Sequence, residues 1–420
     1  MIQAFYTGVG GIQAHQTAID VTSDNIANVN TVGYRSYTTE FASLFDDVEN
    51  TTSPNSTTDD TVGVGTRIQA TGMDLSQGSI TNSDRNTDLA IAGEGWFGVA
   101  VGDNMFYTRA GDFTFDSNRD LVTQEGMYVV GTIGNNIDFN TNTSTQELSD
   151  IPLDDVANQQ KIKMPETLTY PAMPTTNIDF FGNLGTDDEV RVISSKAIDS
   201  EGNVNKVRLS FKQTTPQPPV GFLWDVEATV TSNDGETVYS TSNGQVTFDE
   251  SGGFLNSTLT TIDNNGSPVN LNFGSGYSGI VAAANIPISG SSQSDGVSSG
   301  ELVGYDINQN AEVVATFSNG RQSSVAQIAV YHFQNDQGLE RISGTLFQES
   351  SNSGKPIFYQ DGDGENILGT KVMNQALETS NVKLENGLTE LIIFQRAYDA
   401  NAKSITTADQ MIQKALQMDA

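Results

Sequence analysis

The chain contains no cysteine, and it contains no long hydrophobic run. Without cysteine, disulfides, thiol catalysis and thiolate metal sites are excluded, although the cellular compartment is left open. No window approaches the roughly 18 consecutive apolar residues that a membrane helix needs. We therefore predict neither cysteine-based chemistry nor membrane insertion.

Basic residues are also scarce: the chain has 20 Lys and Arg against 52 Asp and Glu, a net charge of −32. Because phosphate binding needs clustered Lys and Arg, we expect no nucleic-acid partner. The charge favours a soluble, self-repelling surface over a cation-binding role. No basic residue precedes Arg35, and the apolar residues before it are periodic rather than continuous. This pattern predicts no secretory signal peptide, so any export would use another route.

Glycine is plentiful, with 40 residues in a chain of 420, and it is accompanied by abundant Ser, Thr and Asn. This composition favours turn-rich β-structure over an α/β enzyme. The length predicts roughly three domains. We expect a mainly β fold with α-helical termini.

Both ends of the chain carry apolar residues at alternating steps of three and four, which is the repeat of a left-handed coiled coil. The N-terminal repeat runs from about residue 1 to residue 28, and Asn30, Thr31 and Gly33 end it. Its members are Ile2, Phe5, Val9, Ile12, Ile19 and Ile26, with the polar Gln16 and Ser23. The C-terminal members are Leu384, Leu388, Leu391, Tyr398, Ala402, Ile405, Ile412 and Leu416, interrupted by Gln395 and Asp409.

A second apolar stripe lies on the C-terminal helix and consists of Ile393, Ala397, Ala400, Ala408, Met411 and Ala415. This helix would be roughly 50 Å long at 1.5 Å per residue, which is too long for a compact domain. The alternative is an ordinary pair of core helices within one globule. Two apolar faces need more partners than one N-terminal helix supplies. We therefore predict that the helices pair with each other and with copies in other chains.

Strand patterns and turn residues fill the middle of the chain, which predicts nested β-domains between the paired helices. We predict a terminal helical coiled-coil domain (1–33 and 378–420) and a connecting extended segment (34–70 and 350–377). Between them we predict a discontinuous β-domain (71–176 and 278–349) and an inserted outer β-domain (177–277). The polar run 46–61 is predicted to be an exposed loop.

Two glycine motifs match enzyme signatures but lack their structural context. Gly93, Gly95 and Gly98 fit the dinucleotide-binding pattern, yet the residues after them continue as a strand instead of opening a helix. Residues 296–300 fit the G-x-S-x-G nucleophile pattern, but they lie in a Ser- and Gly-rich loop. His15 and His332 are the only histidines, and the pattern favours a structural role for both. We predict no catalytic site and no cofactor.

An acidic motif, Asp361, Asp363 and Glu365, resembles the start of a calcium loop. The EF-hand pattern would place Gly at position 366 and a bidentate Glu at position 372. This chain has Asn366 and Val372 there. A solvated turn is favoured over a cation site, and we predict no metal site.

Long motifs at both ends resemble the bacterial flagellar rod and hook proteins. The matching N-terminal positions are Asn25, Ile26, Ala27, Asn28, Asn30, Thr31, Gly33 and Tyr34, and the C-terminal ones are Gln395, Arg396, Tyr398, Asn401, Ala402 and Lys403. Residues 87–99 and 107–116 are also similar to that family. Residues 315–344, together with the inserted domain, resemble the hook members in particular. The chain departs from the family at residues 385–387, where Gly387 costs about 1 kcal/mol relative to Ala in a helix.

The resemblance implies a structural subunit of the hook rather than an enzyme. Such subunits self-assemble into a curved tubular helical polymer, a flexible coupling that transmits motor torque to the filament. The implied partners are other hook subunits, the hook-cap scaffold, the distal rod and hook-filament junction proteins, and the flagellar type III export apparatus. The implied location is extracellular, in the hook and basal body of the flagellum, reached without a cleaved signal peptide.

Two alternatives stay open at this point. The first is a distal rod or hook-associated axial protein of the same family. The second is a secreted acidic β-rich carbohydrate-binding module or enzyme, although no paired general acid and base can be picked out among the carboxylates.

The predicted polymer interface combines the helical repeats with positions that match the family. Its residues are Phe5, Val9, Ile12, Ile19, Asn25, Ile26, Asn28, Asn30, Leu388, Leu391, Gln395, Arg396, Tyr398, Ala402, Ile405, Ile412 and Leu416.

Overall fold

The computed structural model describes residues 2–45, 63–144, 148–284 and 286–418. Two terminal helices pack against each other, and the chain between them is mainly β-structure. The predicted fold class is therefore confirmed. The predicted loop 46–61 lies outside the described residues. Neither described helix combines the length and the apolar character needed to cross a membrane.

The two helices are α1, Ile2–Ala27, and α2, Leu384–Met418. Helix α2 includes Gly387, so the departure from the family at this point does not delay the start of the helix. Helix α1 is followed by a turn that ends at Gly33, whose φ is +67°. A Cβ on Gly33 would lie 2.3 Å from the backbone nitrogen of Ala110. Only glycine fits this close approach between the end of α1 and the β-structure.

Directly after α1, the strands Tyr37–Phe45 and Gly63–Met73 form a two-stranded antiparallel ribbon. The ribbon lies along α1. Three further short pairs follow: Ile80–Asn82 with Ala376–Glu378, Leu89–Ala92 with Lys371–Asn374, and Tyr359–Gln360 with Asn366–Ile367. Residues 371–378 thus pair with residues 80–92, whereas the predicted connecting segment joins residues 350–377 to residues 34–70.

The largest sheet has 15 strands drawn from both halves of the chain. They are Trp96–Val101, Asn104–Thr108, Thr114–Phe115, Leu121–Val122, Tyr128–Ile133, Ile137–Asp138, Thr143–Ser144, Gln160–Lys161, Thr169–Tyr170, Gly300–Ile307, Glu312–Phe317, Gln322–Ile328, Val330–Tyr331, Glu340–Ser343 and Leu346–Gln348. Its core joins residues such as Phe97 and Phe113 to Val313 and Ile328. Short 3-10 turns lie at Val156–Asn158 and Asp336–Gly338. We call this part the β-body.

The inserted segment has two sheets and a hydrophobic core of its own, centred on Trp224 and Phe211. One sheet has six strands: Asn177–Asn183, Thr261–Asn264, Ser267–Asn272, Gly274–Ser275, Ser278–Val281 and Ser289–Ser294. The other has five: Arg191–Ile198, Val204–Gln213, Phe222–Ser232, Val238–Phe248 and Phe254–Ser257. We call this part the inserted unit.

The six-stranded sheet continues past residue 277, the predicted end of the insertion. Strand Ser289–Ser294 pairs antiparallel with Asn177–Asn183, so the exit of the inserted unit lies beside its entrance. The Asp295 carboxylate closes this junction by accepting hydrogen bonds from the backbone N–H groups of Thr176 (2.8 Å) and Asn177 (3.0 Å). The strand was missed because its Ser and Gly side chains carry no apolar alternation.

Candidate assembly interface

Helix α1 approaches α2 through its small residues. Gly8, Gly11 and Ala14 are buried on the α2-facing side. A Cβ on Gly8 would lie 2.7 Å from Cγ1 of Ile405, and one on Gly11 would lie 2.7 Å from Cγ of Asn401. The missing side chains let the two backbones approach closely.

The predicted apolar repeat of α1 mostly flanks this contact instead of forming it. Phe5 is exposed, and Val9, Ile12 and Ile19 are half-buried. Ile26 does reach α2, because a Cβ on Gly387 would lie 3.2 Å from its Cγ1. The side chain of Ile2 lies outside the described residues. Periodicity alone could not separate the small-residue face of α1 from the neighbouring apolar face.

Helix α2 turns one side toward α1 and leaves another side open. The buried and half-buried positions recur every three or four residues: Gly387, Leu391, Phe394, Tyr398, Asn401, Ile405, Ala408 and Ile412. Six large apolar side chains are 45–68% exposed: Leu384, Leu388, Ile392, Ile393, Met411 and Leu416. Of the other predicted interface residues, Gln395 and Arg396 are exposed and Ala402 is half-buried. Leu384 and Leu416 lie at the two ends of the α1-facing repeat and the other four lie away from it; we call the six exposed residues together the open face of α2.

The three predicted interface asparagines have different surroundings. Asn25 is buried: its Nδ2 donates to the carbonyl of Tyr37 (2.7 Å) and its Oδ1 accepts from the Tyr37 N–H (2.9 Å). Asn28 donates to the carbonyl of Asp24 (2.9 Å) and stabilises the end of α1. Asn30 is exposed. Asn25 therefore anchors the strand that follows α1 within the subunit, and a contact of Asn25 with another copy stays a prediction.

Sequence reasoning missed a buried ionic cluster at the base of the helices. Glu378, the last residue of the strand Ala376–Glu378 that precedes α2, pairs with Arg35 at 2.9 Å and with Arg109 at 3.3 Å. All three side chains are at most 5% exposed. Burial lowers the pKa of Arg109 to about 10, against the opposing attraction of Glu378. Arg109 also donates to the carbonyl of Gly93 (2.6 Å).

This ionic cluster joins three distant parts of the chain. Arg35 follows α1, Arg109 belongs to the β-body, and Glu378 precedes α2. Nearby, the amide of Asn381 accepts from the Ser36 N–H (2.7 Å) and donates to the carbonyl of Asp74 (2.9 Å). The signals in the sequence were that Arg35 directly follows the family-like position Tyr34 and that Arg109 lies within the family-like segment 107–116.

A second contact holds the end of α1 on the β-body. Arg341 pairs with Asp24 at 3.0 Å, and its guanidinium lies over the rings of Tyr34 and Tyr37 at 5.3 and 5.2 Å. The Tyr34 hydroxyl donates to Asp24 (3.2 Å). Burial, reinforced by the Asp24 charge, raises the pKa of Tyr34 to about 12. Both helices are therefore fixed to the β-body at the same end of the helix pair.

The structure confirms that the two glycine motifs lack the context of enzyme sites. Gly93 and Gly95 form a sharp connection between the strands Leu89–Ala92 and Trp96–Val101, with no helix after them. Residues 296–299 lead directly into the strand Gly300–Ile307. Neither motif supplies the helix that nucleotide binding or a nucleophile elbow requires.

The two histidines have separate structural environments. His15 packs against the rings of Phe41 and Phe394 at 5.3 and 6.1 Å, and burial lowers its pKa. The Nε2 atom of His332 lies 2.7 Å from the carbonyl oxygen of Leu368. Each histidine therefore contacts neighbouring groups of the same subunit.

The acidic motif is the turn of a short hairpin. The carboxylate of Asp361 accepts from the backbone N–H groups of Asp363 and Glu365, both at 2.9 Å. Within the described ranges, no group of three or more acidic or histidine side chains is arranged to hold a metal ion.

Three protein-family models match the chain at its beginning, middle and end. The model "Flagella basal body rod protein" matches residues 5–35. The model "Flagellar hook protein FlgE/F/G D1 domain" matches residues 90–179. The model "Flagellar basal body rod FlgEFG protein C-terminal" matches residues 373–418, which include α2.

Relatives that match along the full length of the chain are also flagellar hook proteins. The chain is 28% identical to the flagellar hook protein FlgE of Borreliella burgdorferi over 100% of both chains. It is 29% identical to the flagellar hook protein FlgE of Salmonella typhimurium, over 97% of this chain and 98% of the other. These relatives support the hook over the distal-rod and carbohydrate-binding alternatives.

The fold also resembles a solved structure, the flagellar hook protein FlgE2 of Helicobacter pylori. The TM-score is 0.50 at 17% identity, and the match covers 71% of this chain and 100% of the other. The family models at both ends and in the β-body, together with the full-length relatives, show that this chain is similar to the flagellar hook proteins along its whole length, and they support a structural component of the bacterial flagellar hook as its function.

Proposed function

We propose that this chain is a flagellar hook protein that self-assembles through its terminal helices into a curved tubular polymer that transmits motor torque to the filament. The observation that supports this most directly is the open face of α2. Six large apolar side chains are exposed along one helix of a strongly acidic chain. An exposed apolar surface of this length indicates a contact with another protein.

The energetics favour burial of this face between copies. Fully burying a Leu or Ile side chain is worth about 1.5–3 kcal/mol. Several such side chains on every subunit provide a driving force that is repeated along a polymer. A contact between two different surfaces does not close on itself, so it generates a helical assembly.

We assign the contacts between copies to the two helices. On α1 they comprise Phe5, Val9, Ile12, Ile19 and Ile26, with Asn25, Asn28 and Asn30 at its end. On α2 they comprise Leu388, Leu391, Gln395, Arg396, Tyr398, Ala402, Ile405, Ile412 and Leu416. The exposed residues among them contact neighbouring copies, while the half-buried ones contact both the partner helix and a copy.

Torque passes from the helices to the β-structure through the connections at their base. The cluster of Arg35, Arg109 and Glu378 links both helix ends to the β-body. The ion pair of Arg341 with Asp24 adds a second link. In the polymer the helices line the inner wall and the β-domains lie outside, where sliding between neighbours permits bending.

The remaining partners follow from the same assignment. The chain is exported by the flagellar type III apparatus without a cleaved signal peptide and assembles outside the cell beneath a hook-cap scaffold. One end of the polymer meets the distal rod, and the other meets the hook-filament junction proteins. The family similarity supports these partners.

Polymerisation of the purified chain tests the proposal, with Leu388→Asp as the disruptive variant. Assembly would bury the new carboxylate, which costs several kcal/mol. Leu388 is 46% exposed in the single subunit, so the monomer should melt normally. We expect sedimentable polymer from the wild-type chain and none from Leu388→Asp at the same concentration.

The matched control is Thr389→Asp, which adds the same charge at the next, exposed position of α2. This variant should polymerise like the wild-type chain. Equal polymerisation of Leu388→Asp and Thr389→Asp would remove the open face from the interface.

A further inference from the structure

The basic residues of the inserted unit are concentrated on one face of its five-stranded sheet. Residues 177–294 contain 13 acidic and five basic side chains. One basic residue, Arg191, is paired with Asp187 at 2.6 Å and with Glu189 at 2.8 Å. The other four are Lys196, Lys206, Arg208 and Lys212, all exposed. We call these four residues the basic stripe.

Strand register places the basic stripe on a single face. Lys196 lies directly opposite Lys206 in the antiparallel pair, and Arg208 lies opposite Ser194. Lys206, Arg208 and Lys212 are separated by even numbers of residues, so their side chains point to the same face of the sheet. The opposite side of this strand, with Val207 and Leu209, is buried in the core.

The stripe carries an electrostatic cost that the subunit relieves only in part, because Asp225 and Glu227 lie on the same face of the next strand and Asp234 lies near Lys206. Like charges directly opposite each other on neighbouring strands are destabilising. On the next strand, Lys206 faces Thr231 and Arg208 faces Thr229, while Lys212 faces Asp225. Among the described residues, no carboxylate lies within ion-pair distance of any of the four. The Lys206 ammonium donates instead to the carbonyl of Asn233 (2.5 Å).

We propose that the basic stripe docks on the acidic surface of a second copy of this chain in the assembled polymer. The proposal rests on the proposed function, because the polymer is what brings a second copy into reach. Charge complementarity identifies the occupant: each copy has 52 acidic against 20 basic side chains, so its surface is a polyanion. The contact lies outside the helical interface and is electrostatic instead of apolar.

Salt dependence distinguishes this contact from the apolar contacts of the helices. The screening length falls from about 10 Å at 0.1 M salt to about 3 Å at 1 M. The test measures the critical concentration of polymerisation of the full chain at both salt concentrations. The variant is Lys206→Glu with Arg208→Glu, and the control is Lys355→Glu with Lys371→Glu, which changes the net charge equally at exposed positions outside the inserted unit.

Because salt also screens the repulsion between the acidic copies, the comparison is between the stripe variant and the control at each salt concentration, and we expect the two to differ several-fold at 0.1 M and little at 1 M. The stripe variant should still polymerise, but with a critical concentration several-fold higher at low salt that falls as salt screens the repulsion. Thermal unfolding checks that the variant is folded, which is expected because both side chains are exposed.

Three outcomes overturn the inference. If the stripe variant follows the control at both salt concentrations, the stripe makes no contact between copies, although the proposed function stands. If the free subunit binds heparin through the stripe, and the stripe variant polymerises like the control, the partner of the stripe is another polyanion. If the wild-type chain forms no polymer, the proposed function fails and this inference fails with it.

Discussion

At the residue scale, Gly8 marks where α1 crosses α2 too closely for a side chain. A Cβ there would lie 2.7 Å from Cγ1 of Ile405 and 3.3 Å from the carbonyl oxygen of Asn401. A β-branched side chain in a helix has essentially one rotamer, so Ile405 cannot turn away. Gly10, two positions on, has nothing nearer than 3.4 Å.

This difference predicts opposite effects for two substitutions of the same kind. Alanine improves helix propensity by about 1 kcal/mol over glycine. Gly10→Ala should therefore raise the free energy of unfolding, whereas Gly8→Ala should lower it by forcing the helices apart. Urea denaturation followed by circular dichroism at helical wavelengths measures both. A stabilising Gly8→Ala would mean that the helices do not pack as closely as described.

Glu378 is the residue on which the base of the helices depends. Removing one partner from a buried ionic cluster leaves uncompensated charge and costs about 3–5 kcal/mol. Glu378→Gln keeps the shape but leaves Arg35 and Arg109 both charged and buried. We expect a loss of unfolding free energy in that range by urea denaturation. The control Glu385→Gln, at an exposed position, should change little, and equal effects would contradict the assigned role.

At the scale of elements, the features that could be predicted from the sequence are those that produce a periodic pattern of apolar residues. Both helices, their pairing and the strand-rich middle were predicted, because apolar residues at steps of three, four and two define the buried faces. The small-residue contact of Gly8 and Gly11 was not predicted, because glycine carries no hydropathy signal.

Other features were missed for related reasons. Strand Ser289–Ser294 was missed because Ser and Gly side chains do not alternate in polarity. The cluster around Glu378 could not be predicted, since its three members come from positions far apart in the chain. Helix α2 begins at Leu384 in spite of Gly387. The absence of a side chain at Gly387 leaves room for Ile26 to pack closely against the helix.

The inserted unit should lose stability in acid through Asp199. Its buried carboxylate accepts hydrogen bonds from Asn265 Nδ2 (2.9 Å) and from the Asn203 N–H (2.8 Å). Burial raises the pKa of Asp199, but these hydrogen bonds outweigh it, and the pKa lies below its ordinary value. A carboxyl group whose pKa is lower in the folded state than in the unfolded state stabilises the folded state at pH values above the unfolded-state pKa. The stabilisation is lost as pH falls through the folded-state pKa.

Trp224 allows this prediction to be measured in the full chain. It is buried in the core of the inserted unit, and the chain's other tryptophan, Trp96, belongs to the β-body. In a Trp96→Phe background, fluorescence therefore reports the inserted unit alone. We expect its stability in urea to fall below a pH of about 4 and to fall less steeply in Asp199→Asn. If the stability of the inserted unit depends on pH equally with and without Asp199→Asn, Asp199 does not cause the loss of stability in acid.

At the scale of the whole molecule, the structure separates two kinds of surface. The helices present an apolar face that the single subunit does not cover, while the β-structure is closed around two large cores and carries most of the charge. Apolar contacts between helices would give the polymer its strength, and weaker electrostatic contacts outside would allow it to bend.

The central claim is that the terminal helices form the main contacts between copies. Helical reconstruction of the wild-type polymer by electron cryomicroscopy tests it most directly. The account predicts that α1 and α2 line the inner wall, with Leu388 and Ile393 packed against a neighbouring subunit. A tube joined by β-structure, in which these two side chains stay exposed to solvent, would contradict it.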